Sequence, residues 1–321
     1  TRGLLYSSDK YTEITQLHVL HMSLAVISSR VNASSRLPLL REFFPPLLAY
    51  FQWWNTTRTD TSGDGLVRIL HPWESGMDAS PAFDLAWNIS IPQPSWEQLY
   101  PHLDEIALAY KYLYGWNQTR ILERTEKPHD ELVDSWFMVK DLAVNSVYAK
   151  GWYLLAQMAD VLNEMDTAVA CLNQANLIQA SILTKYALPS STASPPQQFA
   201  SALYLDAAGQ EHQATAETIQ TLFPLLLPLD TPPRTLADLH AWQPLEQGGF
   251  STSKTPPRLS QGIAAALVAL MEDETAFGTP FPLPSVAVRS PSFQPVFTVD
   301  LLWRGPSWGF PNWMLVRSLS A

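Results

Sequence analysis

The feature that most constrains this chain is a pair of long helical patterns joined by four residues. Glu131 to Leu162 and Thr167 to Leu188 carry apolar residues at three- and four-residue intervals, with only Asn163-Glu164-Met165-Asp166 between them. That spacing marks helices, and so short a link folds the second back along the first. Further helical patterns cover Ile14–Val31, apolar nearly all round and so expected to be buried, and Leu37–Trp54, where Pro45-Pro46 predicts a kink. Ser95–Trp116 opens on a Ser95/Gln98 capping box. Shorter patterns follow at Ala200–Ala207, Ala214–Phe223, Thr235–Trp242 and Leu259–Glu272, and a last helix starts near Asn312. No run alternates in the manner of a strand, apart from short β pieces at Val286–Val288 and Val296–Val299. The expected class is all-α, built from helical hairpins and broken by two long irregular loops, Asn55–Pro94 and Phe277–Pro311. No fixed-period repeat appears, and the Ser/Pro-rich gap Pro189–Gln197 is only of loop length, so residues 1–321 read as one domain.

Composition narrows what such a fold could serve. Apolar residues make up 46% and charged residues 16%, against a usual charged share of about 25%. Disorder needs the opposite balance. Thirty acidic residues outnumber twenty basic ones, and no Lys/Arg cluster is present to neutralise phosphates, which excludes nucleic acid and anionic membrane surfaces as partners. No apolar run reaches the roughly 18–20 residues of a membrane span. The one cysteine, Cys171, rules out a disulfide framework and a multi-Cys zinc site. It sits on an apolar helix face and is expected to be inert. His18 and His21 lie three apart but lack a third ligand, so neither metal nor cofactor is expected. No basic-then-apolar leader precedes the first helix, and the reading leans to an intracellular protein. Trp313 falls inside the apolar segment Trp313–Val316 and is expected in the core.

The chemistry concentrates in the loops. Asp64 to Asp84 holds four carboxylates, Asp64, Glu74, Asp78 and Asp84, beside Trp73 and Phe83. Sugars stack their apolar faces on aromatic rings and bond their hydroxyls to carboxylates. Glycoside hydrolysis needs one carboxylic acid to protonate the leaving oxygen and a second carboxylate opposite it. An aromatic wall desolvates a nearby carboxyl and raises its pKa, as a general acid requires. The same residues also fit a solvated acidic loop. The second cluster, Leu302 to Trp313, sets Arg304 between Trp303 and Trp308, where the guanidinium could bond a substrate, orient a catalytic acid or form a structural ion pair.

The string His71-Pro72-Trp73-Glu74-Ser75-Gly76-Met77-Asp78, followed by Ser80-Pro81 and Asp84, closely resembles the signature of mannosylglycerate hydrolase-like glycoside hydrolases, relatives of glycoside hydrolase family 63. Trp303-Arg304-Gly305-Pro306-Ser307-Trp308 with Asn312-Trp313 is similar to the second signature of that family. Asp141 to Asn145 resembles its inner-helix pattern, and Phe281 to Ser285 its Pro-Ser tract. The resemblance implies an (α/α)6 toroid of six helical hairpins with a sugar pocket on one face. It implies inverting hydrolysis of a small α-linked glycoside, of the mannosylglycerate or glucosylglycerate kind, or of a glucosylated glycan. Asp78 falls on the general acid. Trp73, Glu74, Gln16, Trp303 and Arg304 fall on substrate-binding positions, and the expected partner is a small carbohydrate.

Three departures stand beside the resemblance. Leu17-His18 replaces the two prolines that usually follow the Gln, and Ala79 replaces the Asn that usually follows the acid. No Glu-Tyr string follows Trp313 to supply the general base, and the N-terminal Trp-Asp hairpin is absent. A toroid incomplete at both ends is therefore expected. A catalytically inactive carbohydrate-binding relative and a helical protein-interaction scaffold are the alternative readings.

Overall fold

A computed structural model describes residues 20–69, 72–87, 137–189, 198–206, 209–227, 259–296 and 302–319, without the side chains at positions 20, 33, 73 and 87. The expectations for Ser95–Trp116, Thr235–Trp242, Gln16, His18 and His71 lie outside these residues. Helices α1 (Leu20–Arg30) and α2 (Ala33–Thr57) come first, and the long hairpin resolves into α3 (Leu142–Val161) and α4 (Met165–Lys185). The hairpin turns at Asn163, whose φ of 61° is left-handed. The amides of Asn163 and Glu164 donate back to Asp160 O and Ala159 O, both at 2.8 Å. This is the Schellman way of ending a helix, and Asn tolerates the left-handed corner it needs.

Helix α3 is the hub. It is buried on almost every side, under α4 on one flank and α1 and α2 on another. Phe51 of α2 stacks on Tyr148 at 5.4 Å and meets Trp152 edge-on at 5.5 Å. Gly151 makes this approach possible, since a Cβ there would lie 2.2 Å from the Phe51 ring. Helix α2 runs through Pro45 and Pro46 without interruption. Leu40, Phe44, Leu47, Phe51 and Trp54 are buried at helical spacing on both sides of the prolines, so both halves pack on one core.

The sequence-based expectation of helix fails where a small sheet forms. Strands β1 (Val139–Asp141), β2 (Ala202–Leu205) and β3 (Glu211–Ala214) make an antiparallel sheet in that order, with Asp141 opposite Ala202 and Ala202 opposite Ala214. The expected helix from Glu131 does not reach back past Leu142, because Asp141 caps α3. The expected helix at Ala214–Phe223 becomes the end of β3 and a buried 3₁₀ segment, Ile219–Leu226. Val286 makes only an isolated bridge to Thr218, and Val296 is exposed in a bend. Helices α5 (Gln261–Glu272) and α6 (Gly309–Leu319) complete the described elements. Trp313 is 42% exposed, against the core position expected for it. The inward face of α6 is formed by Pro311, Asn312, Met314 and Leu315, which turns Trp313 outward.

Candidate active site

The site grows from the N-terminal end of α3. Asp141 caps the helix, accepting from Val144 N at 2.8 Å. One turn on, Asn145 accepts from Val67 N at 2.8 Å and donates to Val67 O at 3.0 Å. Its amide thus pairs with Val67 as a neighbouring strand would, and it also donates to Asp141 O at 2.9 Å. Ile69 exchanges backbone bonds with Val139. Residues 65–69 are thereby laid across the head of α3, and the carboxylate-rich loop leaves from a fixed point.

That loop is a chain of tight turns. Pro72–Glu74 is a 3₁₀ turn and Gly76 takes a left-handed φ of 70°. Ser75 Oγ donates to Pro72 O at 2.6 Å and accepts from Met77 N at 3.0 Å. Ser80 N donates to Met77 O at 3.0 Å, closing a turn with Asp78 at its first corner. Ser80 then caps the 3₁₀ turn Pro81–Phe83.

Three buried polar contacts fasten this loop to the body. Glu74 pairs with Arg58 at 2.9 Å, both side chains fully buried. Arg58 itself lies 5.1 Å and 5.6 Å from the rings of Trp53 and Trp54. Asp84 takes both arms of the Arg304 guanidinium, Nη1 reaching Oδ2 at 3.1 Å and Nη2 bonding Oδ1. Between these ion pairs, the Ser80 hydroxyl bonds the Gln220 amide. Gln220 also donates to Asp141 Oδ2 at 3.3 Å. The Arg304 pair joins two signatures 220 positions apart in the chain.

The four carboxylates of the loop therefore have different fates. Asp64 bonds Leu66 N and takes Lys140 at 2.5 Å and Lys185 at 2.6 Å. Burial alone would raise its pKa, but the lysine bonds hold it below the usual carboxylate range. Glu74 and Asp84 face arginines. Burial pushes Asp84 up to about 6 against the pull of Arg304, yet with both oxygens bonded it is placed to accept rather than to give a proton. Asp78 is partly exposed, and no ion pair joins it to a described residue. Burial pushes its carboxyl up to about 6, opposed only by its own backbone amide.

Trp303 is 7% exposed and stacks on Trp308 at 4.8 Å. Trp308 Nε1 donates to Leu302 O at 2.8 Å. Gly305 has no room for a side chain, since a Cβ would sit 2.0 Å from Gln294 O. Trp73 lies on the first 3₁₀ turn, its side chain outside the described residues, and Gln16 falls outside them altogether. Arg58, Gln220 and Lys140, which hold the loop, carry no local sequence signal, since their partners lie 16, 140 and 76 positions away. Among the described residues no cluster of His, Cys, Asp or Glu could hold a metal ion. None of their helices is long and apolar enough to cross a membrane.

Comparison with known proteins places this arrangement. The model of the mannosylglycerate hydrolase MGH1-like glycoside hydrolase domain matches residues 6–321. Mannosylglycerate hydrolases MGH1 and MGH2 of Selaginella moellendorffii are each 27% identical over 315 residues, 96% of this chain and 55% of theirs. The mannosylglycerate hydrolase of Thermus thermophilus is 59% identical over a 44-residue stretch, 14% of this chain and 10% of that protein. The solved GH63 mannosylglycerate hydrolase from Thermus thermophilus in complex with glucose matches with TM-score 0.65 and 23% identity, over 96% of this chain and 62% of its own. The same enzyme with Tris and D-glycerate gives 0.67 and 23%, over 99% and 70%. This chain thus spans about half the length of the curated relatives it matches. The fold is of the (α/α)6 toroid class of those enzymes. With the match running through both signatures and the hairpins between them, the chain belongs to the MGH1-like family of glycoside hydrolases.

Proposed function

We propose that the full-length protein hydrolyses a small α-linked glycoside of the mannosylglycerate or glucosylglycerate kind with inversion, and that Asp78 is its general acid. The observation that carries this is the contrast within the loop. Three of its carboxylates are committed to cations, while Asp78 is unpaired among the described residues and holds its proton to about pH 6. A carboxyl tuned near the working pH can protonate a glycosidic oxygen and be reloaded. An inverting hydrolase pairs such an acid with a carboxylate base that activates water on the far face of the sugar, at a separation of roughly 6.5–9.5 Å from the acid. Glu74 and Arg304 act by holding the acid loop, and Trp73 and Trp303 wall the sugar.

The test uses the full-length protein with mannosylglycerate and glucosylglycerate. Proton NMR should show the β anomer as the first sugar released. Asp78→Asn should lower kcat by about 10²–10⁴-fold, the usual contribution of general acid catalysis. A variant that keeps its kcat removes Asp78 from the role, and a first-formed α anomer removes inversion.

A further inference from the structure

From outside the loop, Gln220 bonds Ser80, two residues beyond Asp78. It is fully buried on the 3₁₀ segment Ile219–Leu226. Its Nε2 lies 3.0 Å from Ser80 Oγ and 3.3 Å from Asp141 Oδ2, while Ser80 Oγ lies 3.2 Å from its Oε1. Ser80 closes the turn whose corner is Asp78, and Asp141 is the cap of α3. Ser80, Gln220 and Asp141 are each 1% exposed or less, so water cannot replace a lost partner.

We propose that Gln220 is a positioning residue for the general acid, tying the Asp78 turn to the head of the central helix through Ser80 and Asp141. The inference rests on the role given to Asp78 above. The direction of the amide follows from its neighbours. Asp141 Oδ2 needs a donor, so the NH₂ group points to it and to Ser80 Oγ, and the carbonyl is left to take the hydroxyl proton. Glu74 and Asp84 set where the loop begins and ends. Gln220 sets the angle at which the turn between them presents its carboxyl. Buried polar networks of this kind fix one arrangement when every member is satisfied.

The experiment separates aim from general integrity by varying the leaving group. A glycosyl fluoride departs with little help from an acid, whereas the glycerate glycoside needs its oxygen protonated. In the full-length protein, Gln220→Met keeps the volume and removes both polar contacts. It should lower kcat for the glycerate glycoside about 30-fold and for the matching glycosyl fluoride less than threefold, with KM nearly unchanged. Ser80→Ala removes one hydroxyl and should show the same selective loss, and the double variant should lose little more than either alone. Equal losses on both substrates, or no loss, in folded Ser80→Ala protein would overturn the positioning role while leaving the hydrolase reading standing. If the unaltered protein cleaves neither substrate, the hydrolase reading falls and this role with it.

Discussion

Asp60 and Asp64 lie in the same stretch of chain as Asp78 and have the opposite surroundings. Around Lys140 the protein gathers opposite charges. This lysine, 1% exposed, reaches Asp60 at 3.1 Å, Asp64 at 2.5 Å and Glu211 at 2.9 Å, while Lys185 bridges Asp64 and Glu211 and Arg68 bonds Asp60. Around Asp78 none of the described residues supplies an opposite charge. The first arrangement lowers the proton affinity of Asp60 and Asp64 and joins the 58–69 segment to the sheet and α4. The second raises that of Asp78. Asp60, Asp64 and Asp78 are chemically the same group; the cations around the first two and the bare burial of the third set their proton affinities apart.

The comparison can be broken most forcefully at Lys140. Lys140→Met leaves three acids facing two cations in a largely buried space and should cost about 3–5 kcal/mol in urea unfolding. Asp60 and Asp64 are depressed in the folded protein, so their contribution is present above roughly pH 4 and fades as pH falls through their folded values. The variant should therefore also lose part of the acid sensitivity of the parent. An unchanged midpoint would mean that the network is not stabilising.

A middle-sized effect is expected at the clamps. Asn145→Leu strands the N–H and C=O of buried Val67 and should cost about 2–3 kcal/mol, near the low end of roughly 1–3 for each of the two unsatisfied groups. Asn312 makes the matching pair with Leu283, accepting from its N at 2.8 Å and donating to its O at 3.0 Å. Leu283 is only partly buried, so water can reach those groups and Asn312→Leu should cost less. Equal penalties would show that burial does not set the value of the clamp.

The smallest effect has the opposite sign. The folded-state pKa of Asp78 is raised, so the folded protein binds more protons than the unfolded chain between about pH 4 and 6, and stability falls as pH rises through that window. Asp78→Asn removes the buried charge. It should stabilise the protein by about 1 kcal/mol at neutral pH, discounted for partial exposure, and by nothing near pH 4. Thermal melts at both pH values decide the matter, and destabilisation at neutral pH would contradict an unpaired, desolvated carboxylate.

Much of the helical frame was legible in the sequence because it rests on local periodicity. The α3–α4 hairpin and α5 follow from apolar spacing. The sheet was missed for a physical reason. Val139–Asp141 is three residues, two of them charged, and Ala202–Leu205 is a four-residue run that a helix or a strand could hold; both are too short to show a period, and only pairing decides between them. Two local signs were available. Asp141 is a favoured cap residue just before a helix, and Gly209, at a φ of 77°, closes the turn between β2 and β3. The acid loop was found by its string of residues, but its fastening was not. Arg58, Gln220 and Lys140 act on partners that only folding brings near, and nothing adjacent to them in the chain announces it.

The two asparagine clamps have a consequence for how such a framework changes over time. Each sits at the fourth position of its helix and also bonds the carbonyl four residues back, Asp141 O or Trp308 O, at 2.9 Å. A side-chain amide imitates a peptide group, so each clamp acts as a joint that fixes register to a single residue. Chain held between fixed joints can lengthen, shorten or change composition without shifting what lies beyond them. The loops can therefore drift in sequence while the segments held at Val67 and Leu283 keep their places.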